Sequence, residues 1–222
     1  MRQLTSVPIV ATIPKPSKAS SGYRLRPSED EGVRKIQAFL DSREGDTGVV
    51  AIVPTTSSDE GALVGSRLAI SSARSGEPVI LIDANLHGPG AASILGLKGS
   101  PGLLDAVERR APLDEVVQQR GDTGPFFVPA GPDDGRSYAD FPAGSLKAFV
   151  HDIEPRSRRV LLIGSRVDTG ADGVVVLGAV SGALLVVALG RTTRDAIESS
   201  LEAIRMVGKP TLGIVLISNQ RA

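Results

Sequence analysis

The 222-residue chain contains no cysteine. That excludes disulfides, thiolate nucleophiles and cysteine-bound zinc or iron–sulfur centres. Tryptophan is also absent, and five phenylalanines and two tyrosines are the only aromatic residues, too few for a platform on which bases stack. Two histidines, His87 and His151, do not make an all-histidine metal site. An excess of charge of one sign is missing as well. The 25 lysines and arginines balance 25 aspartates and glutamates, so the basic surplus of a general nucleic-acid binder is not there. No apolar run reaches the ~20 residues that span a bilayer. The longest, residues 174–189, is broken by Gly178, Ser181 and Gly182 and reads as a buried helix followed by a strand. The early apolar patch at residues 7–13 is interrupted by Pro8 and followed by Pro14, unlike the continuous core of a signal peptide. A soluble, cytoplasmic protein without direct membrane insertion is the expectation.

Glycine is plentiful, 25 residues of 222, which suits many tight connections. Residues 1–26 are rich in Pro, Ser and Lys with little periodicity and read as a flexible N-terminal arm. Residues 27–222 read as one domain. Pro27-Ser28-Glu29-Asp30-Glu31 has the early proline, capping serine and first-turn acids of a helix start, and the helix is predicted to reach Ser42, burying Val33, Ile36, Phe39 and Leu40. Short continuous apolar runs follow at residues 49–53, 79–82, 126–128, 160–163, 184–187 and 212–216. Such runs suit strands buried on both faces of a parallel sheet. Helical patterns separate them at residues 62–75, 101–109, 113–119, 145–153, 171–180 and 193–207. The alternation predicts an α/β fold, a three-layer sandwich of a mainly parallel sheet flanked by helices. Ligands of such sheets bind beyond the strand C-termini, where strand order reverses. The loops after Val53, Ile82, Val128, Ile163 and Leu189 are therefore the candidate sites.

The first of these has the length and position of a phosphate-binding loop: Val49-Val50-Ala51-Ile52-Val53 runs into Pro54-Thr55-Thr56-Ser57-Ser58-Asp59-Glu60-Gly61-Ala62 and then a helix. Together with Val79-Ile80-Leu81-Ile82-Asp83-Ala84-Asn85-Leu86-His87, it resembles the P-loop ATPase domain of the bacterial tyrosine kinases of the polysaccharide co-polymerase family, relatives of the MinD/ParA ATPases. The resemblance continues in Pro101-Gly102-Leu103-Leu104-Asp105, in Val128-Pro129-Ala130-Gly131, in residues 182–193 and in residues 210–219. It covers about residues 28–219 and implies a P-loop NTPase-like fold.

The departures from the family pattern concern its chemistry. Gly61 stands where the family has its phosphate-gripping lysine, and Ala62 where it has the Mg²⁺-binding Ser or Thr. Ser58 and Glu60 replace loop glycines. The second metal-bearing strand ends Leu162-Ile163-Gly164-Ser165-Arg166, without a carboxylate; Asp168 and Asp172 lie further on. Asp83 survives, but its partner aspartate is Asn85. A P-loop works through backbone N–H groups, a lysine charge and a hydroxyl on Mg²⁺. A hydrogen bond to a charged group contributes roughly 1.5–3 kcal/mol, so loss of the lysine alone weakens phosphate binding by about one to two decades. Asp59 and Glu60 add negative charge that opposes a polyphosphate, while the helix N-terminus still offers its dipole and N–H groups, unless Ser57, Asp59 or Glu60 caps them. Ser58, Gly61, Ala62 and Asp83 thus read as a vestigial phosphate loop and carboxylate. No catalytic residue and no metal site are assigned, and no cofactor is expected, ATP with Mg²⁺ being the alternative. Asp83 reads either as a remnant metal or base carboxylate or as an acceptor that holds its loop; the second is favoured.

The resemblance also implies a C-terminal cluster of phosphoacceptor tyrosines. Residues 218–222 contain none, and Tyr23 and Tyr138 are the only tyrosines. Glu31-x-x-Arg34-x-x-Gln37 lies where the family has Glu-x-x-Arg-x-x-Arg, a helix motif of ring-like oligomers. Residues three apart share a helix face, so Glu31, Arg34 and Gln37 are the candidate oligomer interface, against a solvated intrahelical Glu–Arg pair. The function implied is that of a catalytically inactive tyrosine-kinase-like component of exopolysaccharide biosynthesis or export. Its implied partner is a membrane-embedded co-polymerase, expected on a separate chain, which would recruit it to the inner face of the membrane and whose chain-length control it would influence. The alternatives are an ATPase or kinase in which Arg67, Arg166 or Arg191 replaces the lysine, and a nucleotide or anion sensor without turnover.

Overall fold

The computed structural model describes residues 6–15, 27–43, 48–87, 90–168 and 170–218, without the side chains of residues 27–30 and 58. The described strands are β1 (Ile9–Pro14), β2 (Val49–Pro54), β3 (Val79–Asp83), β4 (Gln118–Gln119), β5 (Phe126–Val128), β6 (Arg159–Ile163), β7 (Gly182–Ala188) and β8 (Thr211–Ser218). The helices are α1 (Pro27–Asp41), α2 (Ser58–Arg74), α3 (Ala91–Leu95), α4 (Leu103–Val107), α5 (Leu113–Val116), α6 (Ser145–Ile153), α7 (Ala171–Gly178) and α8 (Arg194–Met206).

The strands form one eight-stranded sheet in the order β1-β8-β7-β2-β6-β3-β5-β4. All pairings are parallel except that of β4 with β5. Successive side chains of a strand point to opposite faces, and the two cores follow that alternation. Val50 and Ile52 of β2 join Leu81, Ile163 and Val186 under α1, α2 and α3. Ala51 and Val53 join Ile82, Leu162 and Leu185 under α4, α6, α7 and α8. Strands buried on both faces leave no polar positions, which is why their sequences are continuous apolar runs. This is the expected three-layer α/β sandwich.

The flexible-arm expectation fails for residues 9–14. They form β1, an edge strand paired with β8 from Ile9↔Ile214 to Pro14↔Ser218. Ala11 and Ile13 are buried, and Thr12 between them is exposed. Pro8 and Pro14 bracket the strand, and proline is tolerated at a sheet edge because one side of an edge strand needs no N–H donors. Helix α1 lies close over β1. A Cβ on Gly32 would come within 2.8 Å of the Thr12 carbonyl oxygen, so this crossing requires glycine. Of the rest of the expected arm, residues 6–8 and Lys15 flank β1, and residues 1–5 and 16–26 lie outside the described residues.

Smaller differences concern short elements. The helix expected at 113–119 stops at Val116, because Gln118 and Gln119 pair with Phe127 and Phe126. The five-residue α3 follows the β3 loop, where no helix was expected. In α7, Val176 and Leu177 are buried, but Val174 and Val175 are exposed, so only one face of that apolar helix enters the core. Among the described residues, no helix is long and apolar enough to cross a membrane.

Candidate functional site

Strand β2 lies between β6 and β7, and the chain order reverses around it: β3 lies beyond β6 on one side, β8 and β1 beyond β7 on the other. The C-terminal ends of β2, β3, β6 and β7 therefore flank one crevice. The loop from β2 to α2 is stitched to β7. Thr55 donates both its N–H and its hydroxyl to the Val186 carbonyl, at 3.0 and 2.9 Å. Its Oγ1 also lies 2.9 Å from Thr192 Oγ1, and Thr192 Oγ1 accepts from the Ala188 N–H. The chain leaves β7 through Gly190, whose φ of +76° favours glycine; that turn brings Arg191 back toward the start of α2.

Glu60 lies in the first turn of α2. Helical side chains tilt toward the helix N-terminus, and this one folds back over the loop. It is 2% exposed. One carboxylate oxygen accepts from the Thr56 hydroxyl. The other accepts from Arg191 Nη1 at 3.0 Å, while Arg191 itself is exposed on its outer side. Ser57, the N-cap residue, makes no side-chain capping bond. Glu60 was expected either to oppose an incoming anion or to cap the helix; its carboxylate is instead paired with Thr56 and Arg191.

Gly61 and Ala62 are buried in the same turn. A Cβ at Gly61 would sit 3.4 Å from Ile163 Cγ2 and from Pro54 Cδ, so this position faces the ends of β6 and β2. The side chain of Ser58 lies outside the described set. Asp83, at the end of β3, is buried; Oδ1 accepts from the Asn85 N–H at 3.2 Å and Oδ2 from the Ala91 N–H at 2.7 Å. Burial pushes its carboxyl up to about 6, partly offset by these two donors. Both oxygens are thus engaged in holding the β3–α3 loop. Asn85 donates its side-chain amide to the His87 carbonyl, and the His87 ring lies 3.2 Å from Asp133 and 3.7 Å from Asp172.

The end of β6 carries no carboxylate. Asp168 binds Arg166 through two hydrogen bonds of 3.1 and 2.7 Å. Asp172 accepts from the Ser137 hydroxyl and from the Tyr138 N–H. Tyr138 is buried, donates to the Ala84 carbonyl at 3.1 Å, and has its phenol pushed well above the usual value by burial and then by Asp83 and Asp172. Among the described residues, no group of three or more His, Asp or Glu side chains is placed to hold a metal ion. At the places where the resemblance puts a lysine and a metal-binding hydroxyl, Gly61 brings no charge and Ala62 no hydroxyl, and the adjacent Glu60 is buried.

Of the three arginines considered as substitutes for the lysine, Arg67 is misplaced. It is buried on α2 and donates to the Pro14 carbonyl at 3.2 Å, toward β1. Arg166 is held by Asp168. Arg191 reaches the loop, but its partner there is Glu60. The pairing of positions 60 and 191, 131 residues apart, leaves no mark in local sequence; only the placement of Arg191 after an apolar strand hinted at it. The three expected interface residues do not share a free face. Arg34 binds Glu31 at 3.2 Å on the exposed side of α1. Gln37 turns to α2, donating to Ser72 Oγ and accepting from the Ser71 hydroxyl, both at 2.8 Å. A cleft of about 300 Å³ lies at the opposite end of the sheet, beside Gly76, Pro78, Asp122, Thr123 and Phe126, away from these loops.

With this geometry in view, comparisons with known proteins are informative. No protein-family model matches the chain. A curated relative, the tyrosine-protein kinase YwqD of Bacillus subtilis (strain 168), is 20% identical over 151 residues, which is 68% of this chain and 64% of the relative. The match thus spans somewhat less than two thirds of that protein. The kinase domain of the Escherichia coli tyrosine kinase ETK superposes with a TM-score of 0.79 at 20% identity, covering 97% of this chain and 92% of its own. The chimerical protein CapA2B2 gives 0.80 at 16% identity, covering 100% and 97%. The cell-division protein MinD of Aquifex aeolicus gives 0.63 at 17% identity, covering 78% and 70%. The fold is that of the bacterial tyrosine kinase domains and MinD-type P-loop ATPases.

Proposed function

We propose that the chain is a catalytically inactive, tyrosine-kinase-like component of exopolysaccharide biosynthesis or export, which docks on a membrane-embedded co-polymerase at the inner face of the membrane and regulates it. The fold supports the kinase-like part. The inactive part rests on the phosphate loop: by the resemblance, Gly61 and Ala62 take the positions of the gripping lysine and the metal-binding hydroxyl, and the neighbouring Glu60 is buried. Phosphoryl transfer depends almost entirely on positioning and electrostatic stabilisation of charge. At this loop Arg191 already has an anionic partner. Asp83 has both oxygens committed to backbone donors. What remains is an α/β scaffold with surfaces for a partner.

The test is calorimetric titration of the purified protein with ATP and ADP, with and without Mg²⁺, with phosphate release followed in parallel. Neither binding at millimolar nucleotide nor turnover is expected. Micromolar, Mg²⁺-dependent binding with phosphate release would sink the reading. Magnesium-independent binding without turnover would turn it toward a nucleotide or anion sensor.

A further inference from the structure

We propose that Glu60 is a built-in substitute for phosphate: its carboxylate fills the anion place at the start of α2 and clamps the β2–α2 loop to the β7–α8 loop through Arg191, with no nucleotide required. This deepens the inactive-scaffold reading and rests on it.

Position 60 is decisive. In a phosphate-binding loop, glycine stands where the anion must approach the backbone closely, because any side chain would take up that space. Here the side chain is a glutamate, and it is not turned out to solvent. It is 2% exposed, and a buried carboxylate persists only where partners compensate its lost hydration. Both of its oxygens have one: the Thr56 hydroxyl and the Arg191 guanidinium. A loop hydroxyl and an arginine are the donor types that recognise a phosphoryl oxygen. The helix dipole at the first turn of α2 favours negative charge at the same spot.

The second observation is the stitching of the same two loops. The Thr55–Thr192 contact and the two bonds from Thr55 to Val186 hold residues 55 and 186–192 together beside the ion pair. In this chain the anion is covalently present at all times, so the loops keep one arrangement whatever the nucleotide concentration. Arg191 is exposed on its outer side, so an external anion would reach it if Glu60 were removed.

Inorganic pyrophosphate is the probe, with binding read by calorimetry and by thermal shift on the wild type, Glu60→Ala, Glu60→Gln and Glu60→Ala/Arg191→Ala. The wild type is expected to be indifferent at millimolar pyrophosphate. Glu60→Ala is expected to bind at least about tenfold more tightly, the scale of one charge-assisted contact regained, and Arg191→Ala in that background is expected to abolish the gain. Glu60→Gln keeps the shape of the side chain and with it the fold; it is expected to gain in the same direction by a smaller factor. A folded Glu60→Ala as indifferent as the wild type would make the pair purely structural and overturn the proposal. If Glu60→Ala does not fold, an indifferent Glu60→Gln decides the matter in the same way. Wild type that binds pyrophosphate as tightly as the variants also overturns it. ATP turnover by the wild type would instead bring down the inactive reading, so the two failures are separable.

Discussion

At the scale of the residue, Asp83 is the group whose ionisation the fold works against. Its carboxyl lies at about 6 in the folded protein against an ordinary value of 3.8, because burial outweighs the two N–H donors. A raised carboxyl pKa means that the folded state holds the proton where the unfolded state has released it. Below about pH 4 both states are protonated and the residue is neutral in either. As pH rises from about 4 through 6, folding has to keep a carboxylate buried, and stability falls; above about 7 the full penalty is present. In Asp83→Asn that slope disappears, although one of the two backbone donors loses its acceptor at every pH. Linkage then predicts that the wild type gains about 1–2 kcal/mol over the variant between pH 7.5 and pH 5, read from urea unfolding at both pH values. Equal differences at the two pH values would mean that Asp83 titrates normally. The sequence reading already favoured a loop-holding role for this residue, as an acceptor of backbone N–H bonds. It did not disclose the partner of Glu60. An ion pair between the first turn of α2 and the distant β7–α8 loop has no period and no local signature, and only the sheet order brings it together.

At the scale of the element, legibility followed burial. Strands β2, β3, β5, β6, β7 and β8 were readable because each contains a continuous apolar run, and α6 matched its expected bounds because its apolar residues recur at helical spacing. Strand β1 was missed for the opposite reason: it lies at the edge, alternates, and is bracketed by prolines, so its composition matched that of a loop. Its place is fixed by β8, from the other end of the chain, and by α1 above it. The contact between α1 and β1 is tight at Gly32, where an added Cβ would come within 2.8 Å of a backbone oxygen and 3.3 Å of Ile13 Cγ1. A backbone atom cannot swing aside as a side-chain tip does, so Gly32→Ala pushes the helix outward. Overpacking of this kind costs about 1–3 kcal/mol, against up to about 1 kcal/mol returned by the better helix propensity of alanine. A net loss of about 1–2 kcal/mol is expected in chemical denaturation, together with faster amide exchange in β1 than in β7. A neutral or stabilising Gly32→Ala would show that α1 does not rest on β1 in solution.

At the scale of the whole molecule, the sheet separates two kinds of surface. In the loops above β2, Glu60 pairs with Thr56 and Arg191 of the same chain, and the outer helices are the larger surfaces that face solvent. On α1, Gln37 is committed to Ser71 and Ser72, which anchors that helix to α2 and leaves Glu31 and Arg34 outward, paired to each other. Lys35 adds a second ion pair to Glu31, at 3.6 Å. Exposed pairs of this sort contribute about 0–1 kcal/mol to folding, so stability gives little reason for their presence. If copies of this chain associate through α1, the same two side chains meet charges on the neighbouring copy. Replacing both, Glu31→Ala/Arg34→Ala, is then expected to leave the unfolding midpoint within about 0.5 kcal/mol of the wild type. It is also expected to lower the mass seen by light scattering to that of one chain, with the wild type more strongly dissociated at high salt. An unchanged mass in the double variant would remove α1 from self-association and leave Glu31 and Arg34 as a solvated intrahelical pair.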